Sequence, residues 1–239
     1  MTSLRSSALA VLAAFAFATS AGATQVVVLD SKGSIKDKLP PGSVVDDTAL
    51  DVPDHDQVTV MSATGETIQV NGPHKGPIGT PTGGDPSMLE KLSEVMKDRP
   101  STFGATRQIG FAPKKDDPWA IDATVDGTDC VFSGRPAKLW KPNEAKPVHV
   151  TLKDGTSGRE TAFDWPAETS MVDWPASLPT VDGDSYTLQA GDASKAIKLK
   201  LAPTAANEGA GSLLAAQAGC AAQSRNLQEI AVKKAVKAP

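Results

Sequence analysis

Two cysteines, Cys130 and Cys220, are the only ones in 239 residues, and the compartment decides what they do to the fold. In an oxidising space an even, minimal count reads as one disulfide; in a reducing one it reads as two thiols. The chain opens with the marks of export. Arg5 supplies a positive charge, residues 8–18 (ALAVLAAFAFA) are apolar, and Ala21-Gly22-Ala23 is a small-residue cleavage site, the order of a secretory signal peptide. The apolar stretch is far shorter than the roughly 20 residues of a spanning helix. Residues 1–23 are therefore expected to be a signal peptide, with no membrane span after its cleavage and a periplasmic or secreted product. Cys130 and Cys220 are then expected to form a disulfide. Closing a loop on the order of 90 residues stabilises by about 4 to 5 kcal/mol in the chain-entropy picture. A reactive thiol would want a C-x-x-C pair or a neighbouring histidine, and the sequence offers neither.

The rest divides by pattern into 24–77, 78–117 and 118–239. In the first part Gln25-Val26-Val27-Val28-Leu29 is a β-branched run, and Pro40-Pro41-Gly42 marks a turn. Val58 and Val60, then Ile68 and Val70, alternate with polar residues around Ala63-Thr64-Gly65-Glu66. That is a hairpin with one buried face. Residues 78–117 are rich in Pro, Gly, Lys and Asp and read as a linker holding one amphipathic helix, 88–97. Met88, Leu89, Leu92, Val95 and Met96 share a face there, with Ser87 and Glu90 spaced as a capping box.

From Trp119 onward short strands recur at 119–125, 130–132, 138–140, 148–152, 160–163, 185–189 and 196–201. Asp126-Gly127, Asp154-Gly155, Asp182-Gly183 and Gly191-Asp192 punctuate them. Such spacing predicts an antiparallel sandwich-like domain. One local echo sits inside it, Phe163-Asp164-Trp165-Pro166-Ala167 and Val172-Asp173-Trp174-Pro175-Ala176. After Pro203, Leu213, Cys220 and Leu227 fall seven apart, predicting one C-terminal helix from Asn207 or Gly211 to Val232. Gly209, Gly211 and Gly219 along it allow close backbone approach. With Cys130 on a strand and Cys220 on this helix, the disulfide would staple helix to sheet.

The fold class expected is thus mainly β in two modules, a small β domain and a larger antiparallel β-sandwich-like one, with a connecting helix and a packed C-terminal helix. The order of the apolar strand, Leu39-Pro40-Pro41-Gly42-Ser43-Val44-Val45, the Thr64-Gly65-Glu66 turn and the closing Asn71-Gly72-Pro73 resembles the FecR-type β module of bacterial envelope proteins. It also resembles the N-terminal part of exported Gram-negative proteins with no established activity, whose C-terminal half is similar to the run from Trp119 to Gln223. FecR proteins span the membrane and partner a sigma factor. This sequence shows no retained span, so that signalling role is not implied.

Chemistry is sparse. His55, His74 and His149 lie in no catalytic motif, and no G-x-S-x-G elbow occurs. Asp54-His55-Asp56 is the one compact metal-like cluster, but neighbours on a strand point to opposite faces, so no metal is expected. The Asp126–Asp129 and Asp182–Asp184 acids read as hairpin turns, and the Gly-rich 76–84 lacks the Lys-Ser/Thr ending of a phosphate loop. No cofactor is expected. The tryptophans Trp119, Trp140, Trp165 and Trp174 all fall in the second domain, as core or as aromatics facing a ligand. Net charge is −4 with both signs interspersed, which argues against nucleic acid or anionic lipid as partners. The expectation is an exported soluble envelope protein, not an enzyme, with a binding or assembly role and another envelope protein as candidate partner. The alternatives are a periplasmic hydrolase using carboxylates such as Asp164 and Asp173 near the Trp-Pro segments, or a purely structural envelope component.

Overall fold

A computed structural model describes residues 24–98 and 117–237; the expected signal peptide and residues 99–116 of the linker lie outside the described residues. The protein is mainly β. Its N-terminal unit is a four-stranded antiparallel sheet of order β2-β1-β4-β5, built from β1 (Gln25–Lys32), β2 (Val44–Asp46), β4 (Gln57–Ser62) and β5 (Thr67–Asn71). A two-stranded pair, β3 (Asp51–Val52) with β6 (His74–Lys75), lies beside it. The hairpin expected at Val58–Val70 is β4–β5, paired Val58 to Val70 and Val60 to Ile68. Its alternation suggested one buried face, yet Val58 through Ser62 are all buried. Val26, Val28, Val58 and Val60 meet Ile35, Leu50 and Val52 on one face. Val27, Leu29 and Met61 meet helices on the other, which is why β1 reads as an unbroken apolar run.

The first helix, α1 (Pro86–Lys97), follows the apolar stripe as expected, burying Leu89, Leu92 and Met96. Its cap differs from the expected Ser87/Glu90 box. Asp85 is the N-cap, accepting from Ser87 N–H at 2.9 Å, with Pro86 in the first helical turn, where its missing N–H costs nothing.

The C-terminal unit is a sandwich. A five-stranded sheet of order β11-β10-β13-β14-β8 comprises β8 (Gly127–Phe132), β10 (Val148–Asp154), β11 (Glu160–Trp165), β13 (Ser185–Ala190) and β14 (Ala193–Ala202). It faces a three-stranded sheet of order β12-β9-β7, made of β7 (Ile121–Asp122), β9 (Lys138–Trp140) and β12 (Met171–Asp173). Two pairings, β8 with β14 and β7 with β9, are parallel; the others in the sandwich are antiparallel. Between the sheets lie Ile121, Leu139, Val150, Leu152, Trp165, Trp174, Tyr186, Leu188, Ile197 and Leu199.

The single C-terminal helix expected from the sevenfold spacing is two helices, α2 (Glu208–Ala218) and α3 (Ala221–Lys237). Gly219 breaks them with φ of 83° in the left-handed region. Cys220 N–H bonds Ala215 O and Gly219 N–H bonds Ala216 O, the paired bonds of a Schellman stop. The apolar period survives because both helices join one layer with α1. On one side that layer packs Leu213, Ala216 and Ala231 against Val27 and Met61. On the other, Ala215, Cys220 and Leu227 pack against Cys130 and Phe132. The two β units therefore share a helical filling. The disulfide Cys130–Cys220 joins β8 to the start of α3 across 90 positions, both cysteines fully buried.

Candidate functional site

Of the two readings open for the tryptophans, core packing or a ligand-facing surface, three of the four take the first. Trp140, Trp165 and Trp174 are buried. The Trp-Pro echo is a folding device: Trp165 Nε1 donates to Thr169 O and Trp174 Nε1 to Leu178 O, each at 2.8 Å and each four residues on. In both, a strand ends at or just before the indole, proline turns the chain, and the returning carbonyl satisfies the buried N–H. Trp174 also stacks edge-on against Tyr186 at 4.9 Å. Tyr186 hydroxyl donates to Pro179 O at 2.7 Å, and burial holds its pKa above the usual phenol value. Trp119 alone keeps part of its surface. It meets Phe132 edge-on at 4.8 Å and carries the Arg135 guanidinium 3.9 Å above its ring.

The acidic candidates have structural partners. Asp56 accepts from Ser34 Oγ at 2.7 Å and from the N–H groups of Ser34 and Ile35 at 3.0 and 2.8 Å. The Ser34 hydroxyl, with those backbone donors, holds its carboxyl below the usual range. Asp126 accepts from Ala196 N–H and Asp182 from Leu201 N–H, at 2.7 and 2.9 Å, so these turn acids serve β14. Asp164 pairs with His149 Nδ1 at 2.8 Å on an exposed outer surface, and Asp173 lies 3.8 Å from Lys138 Nζ.

A site the sequence reading missed lies where the sandwich opens at one end. Strand alternation puts Leu199, Ile197 and then Lys195 of β14 on the inner face, and Lys195 sits opposite the buried Leu188. One step past β9, on the same inward side as Leu139, Lys141 continues the ladder by donating its N–H to Ser170 O at 2.9 Å. The Lys141 side chain is only 9% exposed. Its ammonium lies 5.3 Å from the centre of the Trp165 ring and donates to Glu144 Oε1 at 3.1 Å and Pro142 O at 3.3 Å. Between these lysines is a cleft of about 290 Å³ that presents Pro142, Val148 and Ala190 as apolar wall, with Val150, Trp165 and Leu188 lining it from buried positions.

Core-facing lysines want an explanation. An inward lysine can guard an edge strand against pairing, but β14 lies between β13 and β8, and β9 lies between β12 and β7. A lysine can also lay its stem on apolar surface with its head in water, which the burial of Lys141 denies. Of the charged residues lining the cleft among the described residues, two are cations and one, Glu144, is an anion. Glu144 is spoken for by Lys141, and Lys195 has no ion-pair partner among the described residues. A concave apolar wall with a few placed polar groups is the form that small-molecule sites commonly take. The fold and this cleft thus describe a disulfide-bonded, mainly β protein with an apolar, net cationic recess. No protein-family model matches the chain, and no curated protein matches it.

Proposed function

We propose that this is an exported, non-catalytic protein of the bacterial cell envelope whose role is binding, with the Lys141–Lys195 cleft as its binding surface. The observation that carries this is the pair of core-facing lysines, one buried and one unpaired, at the mouth of an apolar recess. Two charges at core positions weaken a fold unless something uses them. The buried Cys130–Cys220 disulfide supports an oxidising destination. Among the described residues no helix is long and apolar enough to cross a membrane. Residues 24–77 are read as FecR-like on the strength of the Pro40-Pro41-Gly42 turn and the β4–β5 hairpin. The hydrolase alternative required exposed indoles beside its carboxylates, and the burial of Trp165 and Trp174 withdraws that support. A purely structural role would leave the cleft without a purpose.

The test has two arms. Fractionation of cells expressing the chain with residues 1–23 intact is expected to place it outside the cytoplasm, and crosslinking there followed by native mass spectrometry is expected to find a bound mass or a specific partner. Retention in the cytoplasm, or measured turnover of a glycan or peptide by the wild-type protein, would overturn the reading.

A further inference from the structure

We infer that the cleft takes an aliphatic monocarboxylate of medium chain length, its carboxylate on Lys195 and its chain along Pro142, Val148 and Ala190. This rests on the binding role proposed above and names its ligand class.

Charge comes first. Lys141 already gives its ammonium to Glu144 and Pro142 O, so among the described residues the cleft's uncommitted positive charge is that of Lys195, half-buried beside apolar walls. One free cation in a partly desolvated setting selects one anion. A phosphate dianion would want a second free donor group. The buried Lys141 contributes differently: with Glu144 it forms a fixed ion pair that closes one side of the recess.

The walls decide the remainder of the ligand. The strands that line the cleft spend their backbone groups on ladder bonds, and Thr124 is the one uncharged polar side chain lining it among the described residues, the Trp165 indole N–H being bonded to Thr169 O. A sugar brings many hydroxyl groups and would leave most of them unpaired, at a cost for each. A hydrocarbon chain leaves nothing unsatisfied. Size sets the length: at roughly 30 Å³ per heavy atom, the share a water takes in the liquid, about 290 Å³ holds about ten atoms. Octanoate and decanoate match that number, and a two-chain phospholipid exceeds it several times over.

The experiment is calorimetric titration of the full exported protein with decanoate, decanol and decyltrimethylammonium. Decanoate is expected to bind at one per chain, at least about tenfold more tightly than decanol, the loss that goes with one charged hydrogen bond. Lys195→Gln is expected to remove that preference and Lys195→Arg to keep it. A second variant, Ala193→Glu, places a negative charge at an exposed position of the mouth, where folding is indifferent to it, and is expected to weaken decanoate alone. Equal binding of decanoate and decanol, preference for the cation, or a Lys195→Gln protein that binds decanoate normally would each overturn the ligand class. Those results leave the envelope-binding role standing, because that role is decided by fractionation and crosslinking. A short peptide with an apolar C-terminal residue that binds more tightly than decanoate would also overturn it, in favour of a protein terminus.

Discussion

Gln223 does for β8 what a neighbouring strand would do. β8 is at the edge of its sheet, and the fully buried Gln223 amide accepts from Cys130 N–H at 2.7 Å and donates to Cys130 O at 3.2 Å and Trp119 O at 3.0 Å. Truncation would strand a buried donor and a buried acceptor, each costly without a partner. Gln223→Ala is therefore expected to lower unfolding stability by about 1–3 kcal/mol, and Gln223→Met, which keeps the bulk and loses the bonds, should not restore it. Urea titration followed by circular dichroism measures both. Asp154 is a second residue-scale case. Its carboxylate accepts from Ser157 Oγ at 2.6 Å and from the N–H groups of Thr156 and Ser157 at 2.8 and 3.1 Å. The Ser157 hydroxyl, with those donors, holds its pKa below the ordinary carboxylate value. A depressed folded-state pKa stabilises above the unfolded value near 3.9, and the effect is lost as pH falls through the folded one. The melting temperature is expected to drop as pH falls below about 4, and to drop less steeply in Asp154→Asn. Parallel slopes for the two proteins in a thermal-melt series would count against this.

At the scale of elements, what could be read in the sequence was whatever depends on period, and what could not be read depends on backbone approach or on where a strand stops. The α1 stripe was legible because helical spacing is local. The end of α2 was not, because Leu213, Cys220 and Leu227 keep their spacing across the break and only the left-handed Gly219 reveals it. The cleft was missed for a small reason. A strand drawn at 196–201 leaves Lys195 in a turn, whereas β14 begins at Ala193 and puts Lys195 in the core-facing row. The Trp-Pro echo was visible, but what it does needed the carbonyl four residues on. The glycines of α2 show how contact can reverse a propensity. Gly209→Ala would stabilise an isolated helix by about 1 kcal/mol. Here an added Cβ would meet Gly65 O at 1.9 Å, where the β4–β5 turn rests on the start of α2. The substitution is expected to destabilise, and by more than Gly219→Ala, whose Cβ meets nothing within 4 Å and whose cost is the left-handed backbone alone, about 1–2 kcal/mol. Midpoints of chemical unfolding rank the two, and the reverse order would mean that the turn and helix do not touch.

For the molecule as a whole, the decisive feature is that α2 and α3 belong to both β units at once. Neither sheet can shed the helical layer without exposing Val27, Leu29 and Met61 on one side or Phe132 and Ala202 on the other. Burial of that kind couples units into one transition. All four tryptophans lie in the C-terminal unit, so their fluorescence reports that unit, while far-ultraviolet circular dichroism reports the α-helices and both sets of strands. The two signals are expected to coincide in the oxidised protein. The disulfide reinforces the same coupling by tying Cys130 of β8 to Cys220, the residue from which α3 starts. Replacing both cysteines with serine frees a 90-residue loop in the unfolded chain and should cost about 2–5 kcal/mol. It also puts hydroxyl groups where the sulfurs were buried, so the loss concentrates at the contact between β8 and the helices. Separation of the fluorescence and dichroism transitions is then expected only in the serine variant, with fluorescence moving first, because β8 is the sheet edge that the staple and Gln223 together hold. Separated transitions in the oxidised protein would show that the helices serve one sheet alone. A serine variant that still melts as one unit at the wild-type midpoint would show that packing of Ala215, Leu227 and Phe132 already couples the units without the covalent link.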